Sequence, residues 1–222
     1  MRIAIGFGVA GAIALTKLAL GLPGSQPFGP HIGPRLWHVV ADGSVPSQDP
    51  PVSFVVTLEL LWLLIALVAT WFGATRGRSM LGRSAGSKVA VALFTPAALV
   101  VAWLAVASAW RSAVLSNAWL EAMTDDAARF HFGCALMSVV YAIGPLLALL
   151  AVRKHRDPVT PWQSGAAFGA VAGAWGAVVH LPFCSCVSPF HMVLGHVLPV
   201  VVLATVGGLV AHRVLALSPR AA

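Results

Sequence analysis

The side chains best suited to chemistry crowd into two short stretches. His131 and Cys134 stand near the start of one apolar run, and His180, Cys184, Cys186, His191 and His196 follow within seventeen residues of one another. Thiols and imidazoles are ligands for zinc and other soft or borderline metals, and thiols also form disulfides or act as redox-sensitive nucleophiles. His131 and Cys134 are three apart, so a helix carries them on one face. His191 and His196 are five apart, which on an α-helix of 3.6 residues per turn points them about 140° from each other. Cys184-x-Cys186 is not the Cys-x-x-Cys of a structural zinc site either. On spacing alone, therefore, no metal site is assigned and no cofactor is expected. A disulfide from Cys134 to Cys184 or to Cys186 would leave one accessible thiol, of the kind that senses oxidants when nearby histidines lower its pKa. The competing expectation is that these are small polar residues that cap helices and hydrogen-bond.

Motifs for other chemistry are missing. The sequence has no nucleophile paired with a base, no carboxylate pair, no phosphate-binding loop and no Rossmann glycine pattern, so an enzyme is not expected. Glu59 is an intramembrane carboxylate, a default candidate for a proton or ion path. Lys17, at similar depth on the preceding run, offers it a simpler role as an ion-pair partner.

The elements that must position these residues follow from composition. Of 222 residues, 59% are hydrophobic and only 9% charged, too apolar for a water-facing surface. Apolar runs long enough to cross roughly 30 Å of hydrocarbon as helices occupy most of the chain, without the alternation of a barrel strand. The expected fold is all-α: a polytopic membrane protein with one transmembrane domain over 1–222 and six spans, near 3–20, 54–73, 89–110, 130–152, 165–181 and 192–215. Lys17 interrupts the place where a signal-peptide cleavage region would lie, so the first span is read as a retained helix. The Pro/Gly-rich stretch 21–53 is a loop, and residues between Trp110 and Arg129 read as a short interfacial helix resting Trp119 and Met123 on the bilayer. Pro96 should kink the third span, Gly144-Pro145 breaks the fourth, and Pro199 lies within the sixth.

Ten of the fourteen Lys and Arg lie on one side of this layout: Arg2, the loop with Arg76, Arg78, Arg83 and Lys88, the loop with Arg153, Lys154 and Arg156, and the tail with Arg213 and Arg220. The positive-inside rule makes that side, and both termini, cytoplasmic, and leaves the His/Cys cluster at the outer face. The net charge of +7 is scattered over short loops with no basic stripe, so direct nucleic-acid binding is not expected; anionic lipid and an acidic protein surface are the partners such loops suit. Gly165, Gly169 and Gly173 form a GxxxGxxxG ridge that lets another helix backbone approach closely, making the fifth span a packing hub.

Residues 130–208, beginning FHFGCALMSVVYAIGPLL, resemble the six-helix bacterial membrane anti-sigma factors of the NrsF type. The shared pattern is Gly133 and Cys134 early in one helix with Pro145 later in it. A basic loop ending in Pro158 and Pro161 follows, then an Ala/Gly-rich helix, a cysteine just after it, and a His-containing last helix. The resemblance implies a multi-pass inner-membrane protein that sequesters an extracytoplasmic-function sigma factor and releases it on an envelope, oxidative or light signal, the last in connection with carotenoid regulation. It implies functional weight for Cys134 and for Cys184 or Cys186. Members of the family usually begin with a longer cytoplasmic segment than Met1 and Arg2, so sigma binding is expected on Arg76, Arg78, Arg83, Lys88, Arg153, Lys154 and Arg156. The alternative is a membrane redox, haem or metal-binding protein that uses the same His/Cys cluster.

Overall fold

The computed structural model describes residues 52–74, 85–111, 114, 127–153, 160–184 and 186–215. The expected first span, the Pro/Gly-rich stretch and the interfacial helix around Trp119 lie outside them. The described residues form helices without strands: α1 (Val52–Ala74), α2 (Ala85–Ala109), α3 (Ala127–Arg153), α4 (Pro161–His180), a 3-10 turn (Leu181–Phe183), and α5 (189–215). Five helical stretches are long and apolar enough to cross a membrane. Each has between 21 and 25 residues, which at 1.5 Å per residue gives about 32–38 Å against roughly 30 Å of hydrocarbon.

The surface of the bundle inverts that of a soluble protein. On α1 the exposed residues Leu60, Leu64, Leu67 and Trp71 recur at helical spacing, and on α3 so do Leu136, Val140, Ile143 and Leu147. Such stripes would be a liability in water and are at home against lipid tails. Helix α4 differs, because it is buried around nearly its whole circumference and packs on α1, α2, α3 and α5. It begins at Pro161 rather than at the expected Gly165, since a proline at the first helical turn gives up only an N–H that has no intrahelical partner.

Small residues explain how α4 accommodates four neighbours. A Cβ on Gly165 would collide with the Gly207 carbonyl oxygen and Ala211, one on Gly169 with the Leu203 carbonyl oxygen, and one on Gly173 would lie 2.7 Å from Val200 Cα. Further along the same helix, towards its C-terminal end, a Cβ on Gly176 would collide with the Ser138 carbonyl oxygen of α3. The ridge seen in the sequence thus meets α5, where Gly207 faces it; Gly176 serves a second crossing.

Polar side chains tie the bundle elsewhere. Trp62 Nε1 donates to the Leu99 carbonyl across α1 and α2 at 3.1 Å, and Trp175 Nε1 donates to Thr70 Oγ1 across α4 and α1 at 2.9 Å. In an environment without water each such bond removes a polar group that would otherwise stand unsatisfied. Pro96 and Pro145 lie inside continuous helices.

Candidate functional site

The His/Cys cluster sits at one end of the bundle, where α1, α3 and α5 begin and α2 and α4 finish. His131 and Cys134 come from the start of α3, His180 from the last turn of α4, Cys184 and Cys186 from the connection beyond it, and His191 and His196 from the start of α5. All of these except His131 are buried.

The first turns of α5 decide the geometry. Pro189–His191 opens the helix, with Ser188 as N-cap: its hydroxyl accepts from the His191 N–H at 3.2 Å. The chain then runs as a π-helix over Met192–Val197, where Leu198 N–H bonds the Val193 carbonyl five residues back, and resumes as an α-helix over Leu198–Leu215. With i→i+5 bonding, residues five apart come much closer to one face than they do on an α-helix. The 140° separation expected for His191 and His196 is therefore corrected: their ring centroids are 5.5 Å apart. Pro199 contributes to this wide turn. It has no N–H to offer the Gly195 carbonyl four residues earlier, and Ser138 Oγ of α3 donates to that carbonyl instead, at 3.1 Å.

Within the cluster, the Cys134 and Cys184 sulfurs are 3.9 Å apart and are not joined as a disulfide. Of the two cysteines left open by the sequence, it is Cys184 that faces Cys134 directly. Its sulfur lies 2.9 Å from His191 Nε2 and 3.5 Å from the Cys186 carbonyl oxygen. Cys186 packs beside both thiols. The hydrogen bond with Cys134, and then burial, push the Cys184 thiol above the ordinary cysteine range. The other nitrogen of His191, Nδ1, lies 3.0 Å from His131 Nδ1. His196 stacks on His180 with centroids 5.4 Å apart, and Trp62 and Tyr141 close the far side of these two rings.

Ligand atoms of Cys134, Cys184, His191 and His196 all lie within 4.8 Å of one another. Neither ring nitrogen of His196 has a hydrogen-bond partner among the described residues, although the residue is fully buried. An orphaned buried polar group of this kind costs about 1–3 kcal/mol and calls for a partner such as water or an ion.

The sequence missed Ser138, Ser188, Gly195, Trp62 and Tyr141 as parts of this site. Gly195 matters because a Cβ there would lie 3.2 Å from Cys134 Cβ and 3.3 Å from His191 Nε2. The proline four residues after Gly195 was the available signal for an irregular turn; nothing in the spacing pointed to Ser138.

Among the proposed partner-binding residues, Lys88 is corrected. It lies on α2 rather than in a loop, is buried, and donates from Nζ to Thr160 Oγ1 at 3.0 Å, so its charge is not presented at the surface. Arg76, Arg78, Arg83, Lys154 and Arg156 lie outside the described residues, as does Lys17; the Arg153 backbone ends α3. Glu59 is half-buried on α1, and its Oε2 has no hydrogen-bond partner among the described residues. The Lys88–Thr160 contact marks the start of α4, and the described helix ends that border the basic stretches 75–84 and 154–159 of the sequence lie at this end of the bundle, away from the cluster. The length of α4 separates the two, about 30 Å for 20 residues.

The family model for NrsF, negative regulator of sigma F, matches residues 48–216. The chain belongs to the NrsF family. No curated protein and no solved structure matches it. Membership brings with it negative regulation of a sigma factor and interaction with one, a regulatory role. The NrsF match takes in all five described helices, and with them both the thiol cluster and the helix crossings that carry it.

Proposed function

We propose that this protein is a membrane-embedded anti-sigma factor of the bacterial inner membrane. It holds an extracytoplasmic-function sigma factor against its cytoplasmic loops and releases it when the cluster at the opposite end of the bundle reports an envelope, oxidative or light signal. The NrsF match carries this reading. Its layout supports it: thiols and imidazoles gather at one end, the described helix ends that border the basic stretches of the sequence lie at the other, and α4 runs between them in contact with every other described helix.

In this reading six helices cross the membrane, with the run 3–20 as the first, and both termini are cytoplasmic. The sigma factor docks on the loops that carry Arg76, Arg78, Arg83, Arg153, Lys154 and Arg156, where Lys and Arg also meet anionic lipid. Cys134 and Cys184 are the sensing pair. A change in their separation would be felt by α3 and by the α4–α5 connection together, because the two cysteines belong to these two elements. The Gly-lined crossings of α4 leave little slack in which such a displacement could be absorbed.

The test is retention. Full-length protein purified from membranes should co-purify its cognate sigma factor, and failure to retain any sigma factor under conditions that keep the helices folded would end this proposal. A second reading, a redox or metal-binding membrane protein, is favoured by one observation, the convergence of two thiols and two imidazoles.

A further inference from the structure

Four features of the cluster go beyond a role as bare thiols. Two sulfurs and two imidazoles, from residues 50 positions apart in the case of Cys134 and Cys184, present their ligand atoms within 4.8 Å of one another. Their partners come from three segments: α3, the α4–α5 connection and the π-turn. His196 is completely buried, with both ring nitrogens unpartnered among the described residues. His191 turns one nitrogen towards the Cys184 sulfur and the other towards His131.

We propose that Cys134, Cys184, His191 and His196 form a tetrahedral site for a zinc-class divalent ion. Two thiolates and two imidazoles are a donor set that selects zinc, and the geometry preferred by that set is tetrahedral. The charge also suits the place. Two thiolates neutralise a divalent ion, so the filled site carries no net charge into a region of low dielectric, where an unpaired charge would be costly. Binding releases two protons per ion from the thiol and imidazole groups, because the ligands are two thiolates and two neutral imidazoles.

Distances can be set against that geometry. With metal–sulfur bonds of about 2.3 Å and metal–nitrogen bonds of about 2.0–2.1 Å, a tetrahedron has a sulfur–sulfur edge of ~3.8 Å and a sulfur–nitrogen edge of ~3.5 Å. The Cys134–Cys184 separation of 3.9 Å matches the first. The Cys184–His191 separation of 2.9 Å is a thiol–imidazole contact, which lengthens by about 0.6 Å to reach the second edge. That movement falls on the π-turn, whose i→i+5 bonding is what brings His191 and His196 to one side.

The surroundings are those of a supported metal site. Ligating histidines usually engage their second nitrogen with a neighbouring group that sets tautomer and orientation. His131 occupies that position for His191, at 3.0 Å. Gly195 leaves the space in which the ligands converge: a side chain there would crowd Cys134 and His191. His196 is held from behind by the stacked ring of His180. Cys186 lies beside the thiols without belonging to the four.

The ion is held entirely by described residues at the end of the bundle away from the Lys88–Thr160 contact, so its binding is independent of the sigma factor. The experiment uses the full chain purified in detergent under reducing conditions, stripped with a chelator and titrated with Zn²⁺ and, as a spectroscopic probe, Co²⁺. One equivalent of Zn²⁺ should bind with release of two protons, and Co²⁺ should give the intense ligand-field and thiolate charge-transfer bands of a tetrahedral sulfur–nitrogen site. Cys134→Ser and His196→Gln should abolish the cobalt spectrum, His131→Ala should weaken affinity roughly 10- to 100-fold, and Cys186→Ser should change neither. Circular dichroism of each variant separates loss of ligands from loss of fold. Absence of stoichiometric binding to the folded wild type would overturn the proposal, as would wild-type cobalt bands in folded Cys134→Ser or His196→Gln. Should those two variants fail to fold, loss of the charge-transfer bands after alkylating the thiols of the wild-type protein supports the site, and bands unchanged by alkylation overturn it. Retention of a sigma factor is a separate measurement, so failure of one proposal leaves the other standing.

Discussion

Replacing Gly169 by alanine adds a single methyl group at the crossing of α4 and α5. The new Cβ would lie 2.8 Å from Ala204 Cα and still closer to the Leu203 carbonyl oxygen. Ordinary carbon–carbon contact is about 3.5–4.0 Å, so the helices must part by about 1 Å. Because the obstructing atoms are backbone, no rotamer change relieves the clash. Overpacking of this kind costs about 1–3 kcal/mol, and each 1.4 kcal/mol is about tenfold in the folded-to-unfolded ratio. Intrinsic propensity pulls the other way, since alanine is better than glycine in a helix by about 0.8–1 kcal/mol. Gly133→Ala isolates that opposing term, for a Cβ on Gly133 meets nothing within 4 Å. The two variants are expected to differ in sign: Gly169→Ala destabilised, Gly133→Ala neutral or slightly stabilised. SDS titration in mixed micelles, followed by far-ultraviolet circular dichroism, measures both. If the two unfold together, close backbone approach at Gly169 is not what holds α4 to α5, and the account of α4 as the packing hub is wrong.

Further expectations follow from single contacts. Ser138→Ala removes the hydroxyl that serves the Gly195 carbonyl and should lower stability by about 1–3 kcal/mol in the same titration, as expected for a buried acceptor left without a donor. Trp62→Phe keeps most of the ring but loses the bond to the Leu99 carbonyl, at a cost of about 1 kcal/mol. In cells, Cys134→Ser or Cys184→Ser should change induction of the genes under the cognate sigma factor; unaltered induction would leave these thiols structural. Lys88→Gln keeps a donor for Thr160 and should retain the sigma factor at the wild-type level in a pull-down, whereas Arg76→Ala combined with Arg78→Ala should reduce retention.

Much of this protein is determined by its sequence alone. Runs of apolar residues longer than a bilayer is thick leave the backbone no option but helix, because in lipid every N–H and C=O must be satisfied within its own segment. The Gly165, Gly169 and Gly173 ridge is equally local, since a four-residue spacing fixes a common face before any partner is known. The pattern of glycine, cysteine, proline and histidine from residue 130 onward sufficed to suggest the family. What the ridge packs against was not legible: Gly207 and Gly176 acquire meaning only once α5 and α3 lie against α4.

The cluster depended on tertiary structure still more. Sequence spacing converts to an angle only if the helix type is known, and the π-turn over Met192–Val197 changes the residues per turn just where His191 and His196 are counted. A wide turn of that kind is held from outside, here by Ser138 of another helix, so no window around His196 contains its cause. Lys88 teaches the same lesson in reverse. Its charge counts towards a basic loop in the sequence, but the extension of α2 to Ala85 and the approach of Thr160 bury it. Composition and periodicity determine which segments become helices and which faces are small; which thiol faces which imidazole is decided only when α3 meets the distant α4–α5 connection and the start of α5 at one end of the bundle.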